Sequence, residues 1–304
     1  MNHASLENIL HRAEYTLLGY KLRLLEDFEL PAYGLLRLRR ELNRLLNTGL
    51  IVDAEREELR QLLHPPRALD SEILRRTQQP APGFVLQIDQ LKAVSYEPGD
   101  MLSLNVCFFG RGIGQIKVFS GLLEILGEIG LTLNRGRFYL DSIENNCNLQ
   151  SLPLWRSGPY LLTPQLLDLA ELFVTHIPQK ITLEFLTPAR LLKNGRPLFK
   201  PDFTEVFPFL LRRVTGMCAI WAEVEDVFDV ELLIQQAARV RTLANRFFWQ
   251  DWRSLDRKEE VGGLMGKLTL EGDELLDLWP VLKIGELLGL GKGAAFGAGR
   301  YRLS

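Results

Sequence analysis

Only three cysteines, Cys107, Cys147 and Cys218, occur in 304 residues. They are far apart, form no CxxC pair and are odd in number, which makes a poor disulfide framework and points to buried free thiols. Histidine is equally sparse: His3, His11, His64 and His176 are isolated from one another. No HExxH occurs and the carboxylates lack ligand spacing, so no metal and no other cofactor is expected. Gly-x-Ser-x-Gly is missing, which removes the usual signature of a serine hydrolase. No apolar run approaches the ~18 residues that a bilayer span needs, and the first residues lack the basic-then-apolar pattern of a signal peptide. A cytoplasmic protein that does not touch membrane is therefore expected. Positive charge is also not in excess: 36 Lys and Arg stand against 38 Asp and Glu, a net charge of −2. A non-specific nucleic-acid binder is usually basic overall, so contact with nucleic acid here requires a local patch.

What is present is ordinary globular material, 46% hydrophobic and 24% charged, with a length that suits two domains. Residues 14–25 alternate as a strand does, and Pro31 closes the run. Leu35, Leu38, Leu42 and Leu45 then recur at helical spacing up to Gly49, with Arg37, Arg40 and Arg44 on the opposite face. The polar segment 53–82 reads as a short helix followed by a loop. A strand over 101–109, a helix over about 114–129 and a strand over 137–143 follow. If the region 84–97 supplies one more strand, the order is that of a ferredoxin-like βαββαβ unit. The first domain is expected at 1–150.

A second cycle, 151–304, begins after a Pro- and Gly-containing stretch. Residues 180–186 read as a strand ended by Thr187-Pro188. Asp202 and Glu205 have the spacing of a capping box for a helix over about 203–217. Residues 245–254 and 264–270 read as strands, Asp273 opens a helix, and 299–303 form a terminal strand. The fold class is α+β, with two ferredoxin-like halves in tandem. Within 190–213, Arg190, Lys193, Arg196, Lys200, Arg212 and Arg213 outnumber Asp202 and Glu205. That surface suits a polyanion, a solvated charged face being the competing reading. Glu223, Glu225, Asp226, Asp229 and Glu231 instead form an acidic run, a surface facing away from such a polyanion or toward a protein partner.

The C-terminal tail carries Gly289, Gly291, Gly293, Gly297 and Gly299, with Lys292 and Arg300 among them. Without a Cβ, such a backbone reaches φ > 0 and approaches a polyanion closely, and successive N–H groups then form an anion-binding concavity. The competing reading is a tight turn between the last helix and the last strand. The spacing is not that of a Walker A loop.

Four features in order resemble the RAMP superfamily, and within it the sixth Cas family, the precursor-CRISPR-RNA endoribonucleases. These are Leu186-Thr-Pro-Ala-Arg-Leu-Leu-Lys193; Phe207-Pro-Phe-Leu-Leu-Arg-Arg-Val214, read as a helix ending in paired arginines; Trp252-Arg-Ser254 leading to Val261-Gly-Gly-Leu-Met-Gly266; and the glycine tail. Leu30-Pro-Ala-Tyr-Gly-Leu-Leu-Arg37, Phe108-Phe-Gly-Arg111 and the run from Gly127 to Phe138 add weaker similarity.

The resemblance implies binding of CRISPR repeat RNA and its metal-independent cleavage. The ribose 2′-OH attacks the adjacent phosphate and leaves a 2′,3′-cyclic phosphate and a 5′-OH. The alternative is a catalytically inactive RAMP-type RNA-binding subunit of a CRISPR effector complex, with other Cas subunits as partners. The family often places a histidine on or near its first helix, and here residues 34–48 contain none. The catalytic positions expected are therefore Tyr33, Arg37 and Arg40 with His64 from the following loop; His11 is a further candidate, and a structural or surface role is the competing reading for each histidine. Arginine stays protonated, so it stabilises phosphate charge but is a poor base. The RNA-binding positions expected are Lys193, Arg196, Lys200, Arg212, Arg213, Gly289, Gly291, Lys292, Gly293, Gly297, Gly299 and Arg300.

Overall fold

The computed structural model describes residues 11, 13–49, 51–66, 80–132, 134–147, 152–156, 158, 163–173, 178–225, 228–253 and 260–304. His3, His176, Asp226 and Ser254 lie outside the described residues, as does most of the loop expected up to residue 82. By internal contacts the chain divides into two compact units. The first holds Glu14–Leu167 together with Ile220–Ala222, and so runs past residue 150. The second holds Asp168–Ala219, Glu223–Ser304 and the described residues of Met1–Ala13.

In the first unit the central strands are β1 (Glu14–Leu24), β2 (Phe84–Gln87), β3 (Met101–Phe109) and β4 (Phe138–Asn145), with Leu152–Trp155 paired beside β4 and a separate short pair, Phe28–Leu30 with Val94–Tyr96. Their spatial order is β2-β3-β1-β4, every neighbour antiparallel. Helices α1 (Leu38–Leu45), α2 (Asp53–Leu63) and α3 (Ile116–Ile129) fill the two crossovers. That is the βαββαβ order inferred from sequence. Period-2 burial explains β1: Leu18, Tyr20, Leu22 and Leu24 are all buried and face the helices. Phe119 of α3 seats itself among Tyr20, Phe84 and Phe108, with ring centroids 4.9–5.4 Å away. Edge-to-face aromatic contacts of this kind add to the area they bury.

The second unit repeats the plan. Strands β5 (Lys180–Ala189), β6 (Arg241–Asn245), β8 (Glu260–Glu271) and β9 (Tyr301–Leu303) lie in the order β6-β8-β5-β9. Between β6 and β8 the chain adds β7 (Phe248–Arg253), which pairs with β8. The crossovers hold α4 (Phe203–Trp221), α5 (Val230–Ala237) and α6 (Leu275–Leu288). Tyr301 is buried in this core and its hydroxyl donates to the Leu282 carbonyl at 2.5 Å.

Three expectations from sequence are corrected here. Strand β5 continues through Thr187-Pro188 to Ala189, because Pro188 needs no N–H there and its carbonyl accepts from Gly299 at 3.0 Å. Helix α4 does not stop at Arg212-Arg213 but runs on to Trp221, since Val214, Met217 and Cys218 keep its apolar face buried. Asp202 does cap α4, its Oδ1 accepting from the Glu205 N–H at 3.0 Å, whereas the Glu205 carboxylate pairs with Lys193 at 3.7 Å. Helix α5 was not anticipated. It starts inside the acidic run, where the Asp229 side chain accepts from the Leu232 N–H.

Candidate nucleic-acid interface and active site

In the first unit, the leucine stripe of residues 35–45 is buried as its spacing predicts, with Leu35, Leu38, Leu42 and Leu45 at 1–3% exposure. The opposite side of α1 carries Arg40 and Arg44, both exposed, with half-buried Arg37 one turn before them. Tyr33 opens the short 3-10 turn Gly34–Arg37 from a left-handed conformation, φ 57°. A positive φ is uncommon for a tyrosine and fixes where the chain turns into the helix. Arg44 is already committed: it donates to Asn134 Oδ1 at 2.8 Å and lies 3.5 Å from the buried Glu41 carboxylate.

His64 is the residue that closes α2, its N–H donating to Arg60 O at 2.7 Å. This turn brings the imidazole against α1, where His64 Nε2 hydrogen-bonds to Asn43 Oδ1. Asn43 Nδ2 in turn donates to Arg39 O at 2.6 Å. Because the amide NH₂ is used on the backbone, its oxygen must face the imidazole. The network thus favours the tautomer with the proton on Nε2 and the lone pair on Nδ1. Partial burial, and then the positive charges of Arg39 and Arg60, hold the His64 pKa below the usual histidine value. A neutral imidazole at physiological pH is what general-base chemistry needs. The sequence offered His64 without its partner: Asn43 lies 21 residues away, and asparagine on a helix carries no signal of its own.

His11 is placed elsewhere, in the second unit, where its Nδ1 lies 2.5 Å from Asp168 Oδ2. It is not part of the Tyr33–His64 unit.

The expected RNA-binding residues all fall in the second unit. Lys193 and Arg196 flank the turn Asn194-Gly195, whose φ values of 52° and 77° mark a type I′ hairpin. Lys193, Arg196 and Lys200 are exposed. Arg212 is also exposed and lies over the Phe209 ring at 5.2 Å. Arg213 is half-buried, and its Nη2 donates to Leu288 O at 3.3 Å. It completes the C-terminal turn of α6, where a cation suits the helix dipole.

In the glycine tail, Gly289, Gly291, Gly293, Gly297 and Gly299 all have φ between 62° and 90°, as their residue type predicts. The direction of the N–H groups differs from expectation. Leu290 donates to Gly299, Lys292 to Arg190, Phe296 to Gly293, Gly297 to Ala294 and Gly299 to Pro188. Thr187, fully buried, donates from its hydroxyl to Gly297 O at 2.7 Å and accepts from Arg300 N–H at 2.8 Å. Most of the tail's N–H groups are thus already bonded, within the tail or to Pro188 and Arg190, rather than turned together into a concavity. Close self-approach explains the glycine best at position 299, where a Cβ would lie 1.8 Å from Leu290 O. The tail is a packed strap over the Thr187 end of β5, with Lys292 exposed on it.

Two ferredoxin-like units in one chain, the second closed by a glycine strap, define a RAMP-type protein. The family model for the CRISPR-associated endoribonuclease Cas6 matches residues 183–301. A second model, for an N-terminal domain, matches residues 14–166, close to the bounds of the first unit. Over residues 183–301 the chain is thus similar to the Cas6 family. Among solved structures, it is similar to a partial Cas6-RT-Cas1–Cas2 complex at 14% identity and TM-score 0.61, covering 96% of this chain. It spans only 46% of that chain, and 29% of the matching chain in a Cas6-RT-Cas1–Cas2 complex. A product complex of Thermus thermophilus Cas6 aligns at 17% identity and TM-score 0.55, covering 95% of this chain and 99% of the other. Another Cas6 product complex aligns at 15% identity and TM-score 0.53, with 96% and 99% covered. At these identities the likeness establishes the fold. No curated protein matches the chain. Among the described residues no helix is long and apolar enough to cross a membrane.

Proposed function

We propose that this protein binds CRISPR repeat RNA and cuts it beside the repeat without a metal ion, in the cytoplasm. His64, as a neutral imidazole, takes the proton of the ribose 2′-OH, and the 2′-oxygen attacks the adjacent phosphorus. The 5′-oxygen leaves with a proton from Tyr33, giving a 2′,3′-cyclic phosphate and a 5′-OH. Arg37 and Arg40, permanently charged, offset the charge that builds on the pentavalent phosphate. Lys193, Arg196, Lys200, Arg212, Lys292 and Arg300 hold the RNA backbone.

The observation that carries this reading is the His64–Asn43 hydrogen bond. It supplies, from the end of α2, the histidine that the first helix itself lacks. The test is cleavage of a synthetic repeat RNA by the purified chain in excess EDTA, with a 2′-deoxy sugar at the cut site as control. Discrete cleavage that the deoxy sugar abolishes supports the reading. Cleavage that EDTA stops, or that survives the deoxy sugar, overturns the chemistry, and binding without cleavage leaves an RNA-holding subunit instead.

A further inference from the structure

Phe199 is 58% exposed, yet it is held in place with some care. It follows directly on the basic hairpin, whose stem is extended by Leu198 N–H donating to Leu191 O at 3.0 Å. The next turn of chain is anchored where Asn245 Nδ2 donates to Pro201 O at 2.9 Å. Its ring packs against Trp249 of β7, centroids 4.8 Å apart and planes inclined at 53°.

Trp249 is fixed on two further sides. Its indole N–H donates to Asp251 Oδ1 at 2.6 Å. The ring lies against Gly262 of β8, where a Cβ would come within 2.3 Å of Nε1, so a side chain there would displace the indole. This accounts for Gly262 in the Gly-Gly-Leu-Met-Gly run, which the catalytic reading leaves unused. An aromatic backed so firmly, with its outer face in water, is a preorganised surface for another flat ring.

The charges around it indicate which ring. Arg196 and Lys200 are exposed and have no carboxylate within ion-pair distance among the described residues, and Lys193 shares only the 3.7 Å contact with Glu205. Asp202 is occupied in capping α4. A flat apolar face flanked by cations matches an unpaired nucleobase with its phosphates.

We propose that Phe199, backed by Trp249, stacks on an unpaired base of the RNA, while Arg196 and Lys200 hold the phosphates on either side. This rests on the RNA-binding reading above and adds a base-stacking subsite to it.

The experiment measures binding of a fluorescein-labelled, unstructured 15-nucleotide RNA of mixed adenine and cytosine by anisotropy. An abasic 15-mer of the same charge is the control. Stacking is worth ~1–3 kcal/mol per base, so F199A should weaken RNA binding roughly 5- to 150-fold. It should leave binding of the abasic strand unchanged. F199L should fall with F199A despite its bulk, and F199Y should stay within about twofold of wild type. Equal RNA affinity of F199A and wild type overturns the subsite, as does an equal loss on the abasic strand. Absence of salt-sensitive RNA binding by the wild type overturns the broader reading instead. Should F199A melt lower than wild type, the contrast between F199L and F199Y still decides.

Discussion

His64 and Asn43, 21 residues apart, meet through the Nε2–Oδ1 hydrogen bond that ties the end of α2 to the polar side of α1. Asn43 is held by its own bond to Arg39 O, so the imidazole is oriented by a group that cannot itself titrate. That makes His64 the catalytic residue of the proposal and Asn43 a positioning residue.

Replacing His64 by Ala should therefore lower single-turnover cleavage by about 10²–10⁴-fold, the usual worth of a general base. RNA affinity should change little, because no phosphate contact is removed. Asn43→Ala should cost roughly 10- to 100-fold through misplacement of the ring. A loss of affinity in step with the loss of rate would instead assign both residues to RNA binding.

The pH profile offers an independent check. Burial and the charges of Arg39 and Arg60 lower the His64 pKa, so the acidic limb of the cleavage profile should lie below the ordinary histidine value. Asn43→Asp sets a carboxylate beside the ring and should move that limb to higher pH. Stability follows the same linkage. The unfolded chain binds the proton more tightly, so the His64 contribution is fully present above the unfolded pKa and is lost as pH falls toward the folded one. The stability difference between wild type and His64→Gln should therefore be constant above neutrality, and wild type should lose stability relative to the variant as pH falls below the ordinary histidine value.

The secondary structure was largely legible because burial follows period: the leucines of residues 35–45 and the alternation in β1 each reported one buried face. The order of strands and helices followed too, apart from α5 and β6, which the sequence reading did not contain. The site was less legible for a physical reason. The His64–Asn43 contact joins the residue that ends one short helix to the side of another, and neither residue type carries a periodic or spacing signal. Likewise, the positive φ of the tail glycines followed from the missing Cβ. The groups that hold the tail, the Thr187 hydroxyl for Gly297 O and Arg300 N–H and the Pro188 carbonyl for Gly299 N–H, lie more than 100 residues earlier, as the 110-residue separation of the Thr187–Gly297 bond shows.

Thr187 is the test of that strap. Thr187→Val keeps the shape but leaves Gly297 O and Arg300 N–H without their buried partner. Each unsatisfied group costs about 1–3 kcal/mol, so a loss of roughly 2–5 kcal/mol is expected in urea unfolding. A loss below about 0.5 kcal/mol would mean that water replaces the hydroxyl.

The strap also separates two properties that the glycine motif runs together in sequence. Gly299 has φ 65° and stands where a Cβ would meet Leu290 O at 1.8 Å, so Gly299→Ala must move backbone and should cost at least about 3 kcal/mol. Gly293 has φ 88°, but its nearest neighbour to a Cβ is Ala298 Cβ at 3.4 Å, so Gly293→Ala should cost only about 1–2 kcal/mol. Lys292, exposed just before Gly293, contributes nothing comparable to stability. Lys292→Glu should leave the unfolding midpoint in place while weakening RNA binding and lowering the salt slope by about one. If Lys292→Glu left both affinity and slope unchanged, the tail would serve the fold alone, and the RNA backbone would have to be held by the hairpin and Arg212.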